Sequence, residues 1–156
     1  MITVDKALNS PEIGFIFEEH SYLFKATSDR DYLILLVFLI YEHQKGQLSF
    51  WHPYFHAIDP GDLPCFWDEQ VIACISDPLL KAQFASNKAD MMTDWDIIHK
   101  LLRVYSPDIF DLATCTFDLY KRCASFISTR CFGWGLPCTI VAPISDSFNH
   151  KAIQSC

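Results

Sequence analysis

The sequence predicts a helix-dominated α+β domain. Two long segments carry apolar residues at helical spacing with explicit start signals, and one short β-branched run, "CTIVAP", follows them near the end of the 156 residues. With 51% hydrophobic and 20% charged residues the chain can bury a core, which excludes a disordered chain. An aromatic share of 15% adds either a dense core or a surface that a partner covers.

The first 26 residues read as a short helix over 4–8 and a second apolar piece, "IGFIFEEHSYLF". A stronger signal follows in "TSDRDYLILLVFLIYEHQKG". Ser28 and Asp31 have capping-box spacing, and Lys45-Gly46 closes a helix over about 29–45. Its apolar run, "YLILLVFLIY", has ten residues, against the roughly 20 that a membrane span needs. It is therefore a core helix, apolar on nearly all sides.

"SFWHPYFHAIDPGDLP" breaks periodicity with Pro53, Pro60, Gly61 and Pro64, and reads as an aromatic loop with one helical turn over 53–57. Asp77-Pro78 then starts a long helix, as N-cap and first helical residue. Leu80, Phe84, Met91, Trp95, Ile98, Leu102 and Tyr105 form its apolar stripe, "SNKAD" interrupts it, and Ser106-Pro107 ends it. A third helix carries Phe117, Tyr120, Ala124, Ile127 and Cys131 on one face, with Gly133 and Gly135 as stops. "CTIVAP" is a buried strand ended by Pro143. It needs strand partners, from the early segments or from another chain. No repeat, charge block or linker composition divides the sequence, which reads as one domain.

A net charge of −7 gives no overall drive toward nucleic acid or anionic lipid. The seven cysteines form no C-x-x-C pair and follow no signal peptide, as expected of reduced, intracellular thiols. Cys115, Cys123 and Cys131 recur every eight residues, a spacing that spreads them around a helix, so they read as core. His52 and His56 are four apart, but Pro53 lies between them and no third ligand has suitable spacing, so they read as loop histidines and no metal is expected. No G-x-S-x-G elbow, G-x-G-x-x-G or P-loop is present.

The polar end of the chain stands apart. Arg130 closes the third helix, and Asp146, Asn149 and His150 follow the strand. A guanidinium suits a carboxylate and an Asp suits an ammonium, so the set fits a zwitterionic amino-acid ligand carrying a nucleoside. An Arg–Asp surface pair beside a polar turn is the plainer alternative.

At these residues, "STRCFG…CTIVAPISDSFNH", the chain resembles SET-domain protein methyltransferases, in the branch of the Rubisco large-subunit lysine methyltransferase and the actin-histidine methyltransferase. "ITVDKAL", "YLILLVFLIYEHQKGQLSFWHPYFHAID" and "CFWDEQVIACI" are similar to further stretches of that branch, in the same order. The resemblance implies a partial SET domain over 1–156, with a helical insert at about 59–128 and a cofactor-contacting segment at about 129–150. It implies S-adenosyl-L-methionine as methyl donor, held by Arg130, Asp146, Asn149 and His150, and a lysine or histidine side chain of a protein as acceptor, in cytoplasm or nucleus. The family's glycine-containing cofactor motif matches nothing here, and its catalytic tyrosine matches a position beyond Cys156. The resemblance therefore implies a chain that is incomplete and inactive by itself. The alternative is a non-catalytic relative that binds a protein partner through aromatics such as Trp51, Tyr54 and Trp67.

Overall fold

A computed structural model describes residues 1–25, 29–58, 63–133 and 138–147. The chain divides into two compact units, Met1–Leu35 with Phe126–Cys156, and Leu36–Ser125. Both boundaries fall inside helices, which is why no linker composition marks them.

In the first unit, β1 (Ile2–Thr3) runs directly into helix α1 (Val4–Leu8), where the Thr3 hydroxyl accepts from the Lys6 N–H at 3.1 Å. That is an ordinary N-cap. Helix α2 (Gly14–Glu19) begins so close to α1 that a Cβ on Gly14 would lie 2.5 Å from the Leu8 carbonyl oxygen. Only glycine permits that approach. Helix α3 (Ser21–Lys25) follows, and Phe24 meets Phe17 edge-to-face with centroids 5.4 Å apart.

Helix α4 (Arg30–Gln44) matches the expected apolar helix, and every residue from Leu33 to Ile40 is buried. Asp29 supplies a cap, its carboxylate accepting from the Tyr32 N–H at 3.3 Å, while Ser28 lies outside the described residues.

The strand over "CTIVAP" is shorter than expected. It contains only β3 (Ile140–Val141), centre of a three-stranded antiparallel sheet ordered β1-β3-β2, where β2 is Cys131–Phe132. Ile2 and Cys131 both pair with Val141, and Thr3 and Phe132 with Ile140. The partners therefore come from within the chain: the first residues and those directly after the third helix. Cys131 lies on a strand rather than on the helix face expected of it, because α8 (Phe117–Arg130) ends one residue earlier and the backbone extends to pair. Gly133 follows that strand, and Gly135 lies outside the described residues.

In the second unit, Gly46 has φ +54° just after α4, a left-handed position that favours glycine. A 3-10 turn, Gly46–Leu48, then leads into α5 (His52–Ala57). His52 and His56 therefore sit on a helical turn rather than in a loop, with rings stacked at 6.0 Å. Pro60 and Gly61 lie outside the described residues. A second 3-10 turn, Pro64–Phe66, precedes α6 (Glu69–Ala73), which Asp68 caps through the Val71 N–H at 2.8 Å.

Helix α7 (Pro78–Val104) is capped as expected, Asp77 accepting from the N–H groups of Leu79 and Leu80 at 2.8 and 3.3 Å. "SNKAD" does not interrupt it. Polar residues leave the backbone ladder intact, and only Pro or Gly breaks it at substantial cost. Gln83 even donates to Asn87 across one turn at 2.8 Å. The apolar stripe is buried at its C-terminal end, at Ile98 and Leu102, whereas Leu80 is exposed. Trp95 packs near Phe117 and Tyr120 of α8, with centroids 5.7 and 5.5 Å away.

Candidate functional site

The sheet register explains how Arg130 reaches the polar turn. Cys131 pairs with Val141, so Arg130, one residue earlier, stands beside the residues that leave β3. Its Nη1 donates to the Asp146 carbonyl oxygen at 3.2 Å. Asp146 belongs to the 3-10 turn Ser145–Ser147, where its N–H donates to Ala142 and that of Ser147 to Ile144, each at 3.1 Å. The guanidinium thus meets a peptide carbonyl, so this contact is not an Arg–Asp ion pair. Both side chains are half-buried.

The turn is strained. Ile144 has φ +77°, the single positive-φ residue other than glycine among those described, and a β-branched side chain is badly suited to that conformation. Its side chain is 76% exposed, so burial does not offset the cost. Such outliers concentrate where a backbone must present groups to a ligand.

Arg130 and Asp146 are brought together, whereas Asn149 and His150 lie outside the described residues. Cys131, next to Arg130, has its thiol pushed up to about 12 by burial. Burial also raises Cys115, to about 11, and raises Cys123 strongly. None of the three is a thiolate at neutral pH, which removes them as nucleophiles. Among the described residues no group of three or more His, Cys, Asp or Glu side chains can hold a metal ion. Likewise no helix among them is long and apolar enough to cross a membrane.

A second constellation escaped the reading of the sequence. Glu42 is buried, and its carboxylate accepts from the Ser49 hydroxyl at 2.5 Å and from Lys45 Nζ at 2.9 Å. Ser49 Oγ in turn accepts from the Trp51 N–H at 3.1 Å. The end of α4 from Glu42 to Gly46 and the segment Ser49–Trp51 are thereby one interlocked unit. In the sequence both parts stand within "YLILLVFLIYEHQKGQLSFWHPYFHAID", where nothing showed that they meet. Nearby, His43 stacks on Phe55 at 4.5 Å. Burial, with the Arg122 and His52 charges, lowers its pKa to about 4.

The aromatics expected at a partner surface are redistributed. Trp51 is buried, and Tyr54 and Trp67 are half-buried, the latter packed on Phe84 at 6.0 Å. Phe50 is the exposed ring of the segment, at 82%. Trp51 points inward because Ser49 and Glu42 fix the backbone before it, leaving Phe50 outward.

Comparison of the chain with protein-family models, curated proteins and solved structures gives no match.

Proposed function

We propose that this chain carries the S-adenosylmethionine-contacting part of a SET-type protein N-methyltransferase acting on a lysine or histidine side chain. The observation that supports it is the Arg130–Asp146 contact, which joins residues 16 apart at the edge of a small antiparallel sheet. The donor set suits the methionine portion of the cofactor. A guanidinium carries five N–H donors, more than one carbonyl uses, and pairs well with a carboxylate. The Asp146 carboxylate suits an ammonium group. When bound, the cofactor supplies an electrophilic methyl group, and the protein's share is chiefly positioning and exclusion of water. The strained turn at Ile144 fits a backbone held for that purpose.

Arg130 and Asp146 supply few contacts, so the expected affinity for S-adenosylmethionine is about millimolar, near the weak end of specific binding. Amide chemical shifts on titration test the reading. They should move at Arg130, Cys131 and residues 145–147, and Arg130→Ala should abolish the response. Shifts confined to other residues, or micromolar binding indifferent to Arg130→Ala, would sink it.

A non-catalytic, protein-binding role is the second reading. It is favoured by the exposed apolar side chains of Leu48, Phe50 and Leu79, at 88%, 82% and 81%. Loss of a partner on Phe50→Ser, with no cofactor response at Arg130, would favour it instead.

A further inference from the structure

Pro53 counted against a metal at His52 and His56, because a proline in a helix interior breaks it. In α5 it does not stand in the interior. His52 is the first helical residue and Pro53 the second, where the missing N–H is one the helix leaves unused anyway. The helix therefore runs on to Ala57, and residues four apart fall on one side of it. Phe55 and Trp51, both buried, anchor α5 from its inner side. His52 is half-buried and His56 exposed, so both rings reach solvent.

The two ring centroids are 6.0 Å apart, with planes 15° from parallel. Two imidazoles on one metal ion, with metal–nitrogen distances of about 2.0–2.1 Å, hold their centroids roughly 5–6 Å apart. Turning both nitrogens toward a common point needs only rotation about the ring torsion, which is broad for histidine. Among the described residues no hydrogen bond or ion pair occupies a nitrogen of either ring. His43 is not a third ligand, since its ring lies flat on Phe55 at 4.5 Å. We infer that His52 and His56 form a two-imidazole chelate for a divalent transition-metal ion, with its other coordination positions left to water or to a second molecule. Among the described residues no thiolate or carboxylate joins the pair. Two neutral nitrogen donors select ions such as nickel(II) and zinc(II) over calcium and magnesium. The inference uses neither Arg130 nor Asp146, so it stands apart from the methyl-transfer reading.

Nickel(II) is the probe, because copper(II) oxidises exposed thiols such as Cys74. Untagged protein is titrated at neutral pH by calorimetry and by NMR, where the paramagnetic ion broadens the ring signals of its ligands. The His52 and His56 signals should broaden together, before those of any other histidine. His52→Ala and His56→Ala should each weaken binding about a hundredfold, the gain that a second, linked donor supplies. His56→Ala, at an exposed position, decides the matter if circular dichroism shows that His52→Ala is unfolded. Combining His56→Ala with Ala57→His keeps the number of histidines but turns the second ring away, and should bind as weakly as His56→Ala alone. Wild-type affinity in the folded His56→Ala protein overturns the inference. So does wild-type affinity in the doubly substituted protein, or broadening that starts at another histidine.

Discussion

The Ser49 hydroxyl donates to the buried carboxylate of Glu42 over 2.5 Å, across seven residues of chain. A charged acceptor makes such a bond about twice as strong as a neutral one. Ser49→Ala leaves one oxygen of a buried carboxylate without this donor and removes the Ser49 acceptor of the Trp51 N–H. The expected loss is about 2 kcal/mol in urea unfolding. Glu42→Gln, which keeps an acceptor but removes the charge, should cost less. Equal stability of Ser49→Ala and wild type would show that the contact contributes nothing.

His43 gives the fold a pH dependence of definite sign. Its folded pKa, about 4, lies below the ordinary value of 6.5 because the charged form is penalised by burial first, then by Arg122 and His52. Above pH 6.5 both folded and unfolded chains hold it neutral, and its contribution is complete. Between pH 6.5 and 4 the unfolded chain takes up the proton first, so stability falls as pH falls. Allowing for partial solvent screening, the loss is on the order of 2 kcal/mol. His43→Phe should flatten that part of the profile; an unchanged slope assigns the dependence to other groups.

Relief of the Ile144 strain should be measurable directly. Ile144→Gly removes a left-handed penalty of about 1–2 kcal/mol and costs about 0.5–1 kcal/mol of extra chain entropy. Because the side chain is exposed, little burial is lost. A net gain of roughly 0.5–1 kcal/mol in thermal unfolding is expected. If Asp146 is positioned for a ligand, the same variant should weaken the Arg130-dependent cofactor shifts while raising the melting temperature.

Gly14→Ala tests the packing of the first two helices. Its Cβ would meet the Leu8 carbonyl oxygen at 2.5 Å, and a backbone atom cannot swing aside as a side chain can. Destabilisation of about 1–3 kcal/mol follows from such overpacking. Gly46→Ala is the instructive partner, since nothing lies within 4 Å of its Cβ and its cost would come from φ +54° alone.

Local signals were legible where they are self-contained. The Asp77-Pro78 start of α7, the Gly46 stop of α4 and the burial of 33–40 all rest on caps, backbone conformation and apolar density within a few residues. "SNKAD" misled because polar residues resemble a break in composition, although they cost a helix little. The strand at Ile140–Val141 was visible as a β-branched run, but its partners were not. Two-residue strands carry no period, and Ile2–Thr3 and Cys131–Phe132 are strands only because Val141 and Ile140 pair with them.

The candidate site divides the same way. The sequence by itself singled out Arg130 and Asp146, because an isolated guanidinium and a carboxylate beside an apolar strand stand out by chemistry. Only tertiary structure decided that Arg130 meets the peptide carbonyl of Asp146, since that contact depends on sheet register and on the turn at Ile144. It also decided that Glu42, Ser49 and Trp51 interlock. The two contacts join residues 7 and 16 apart in different elements, and neither the helical nor the strand period encodes the distance between them.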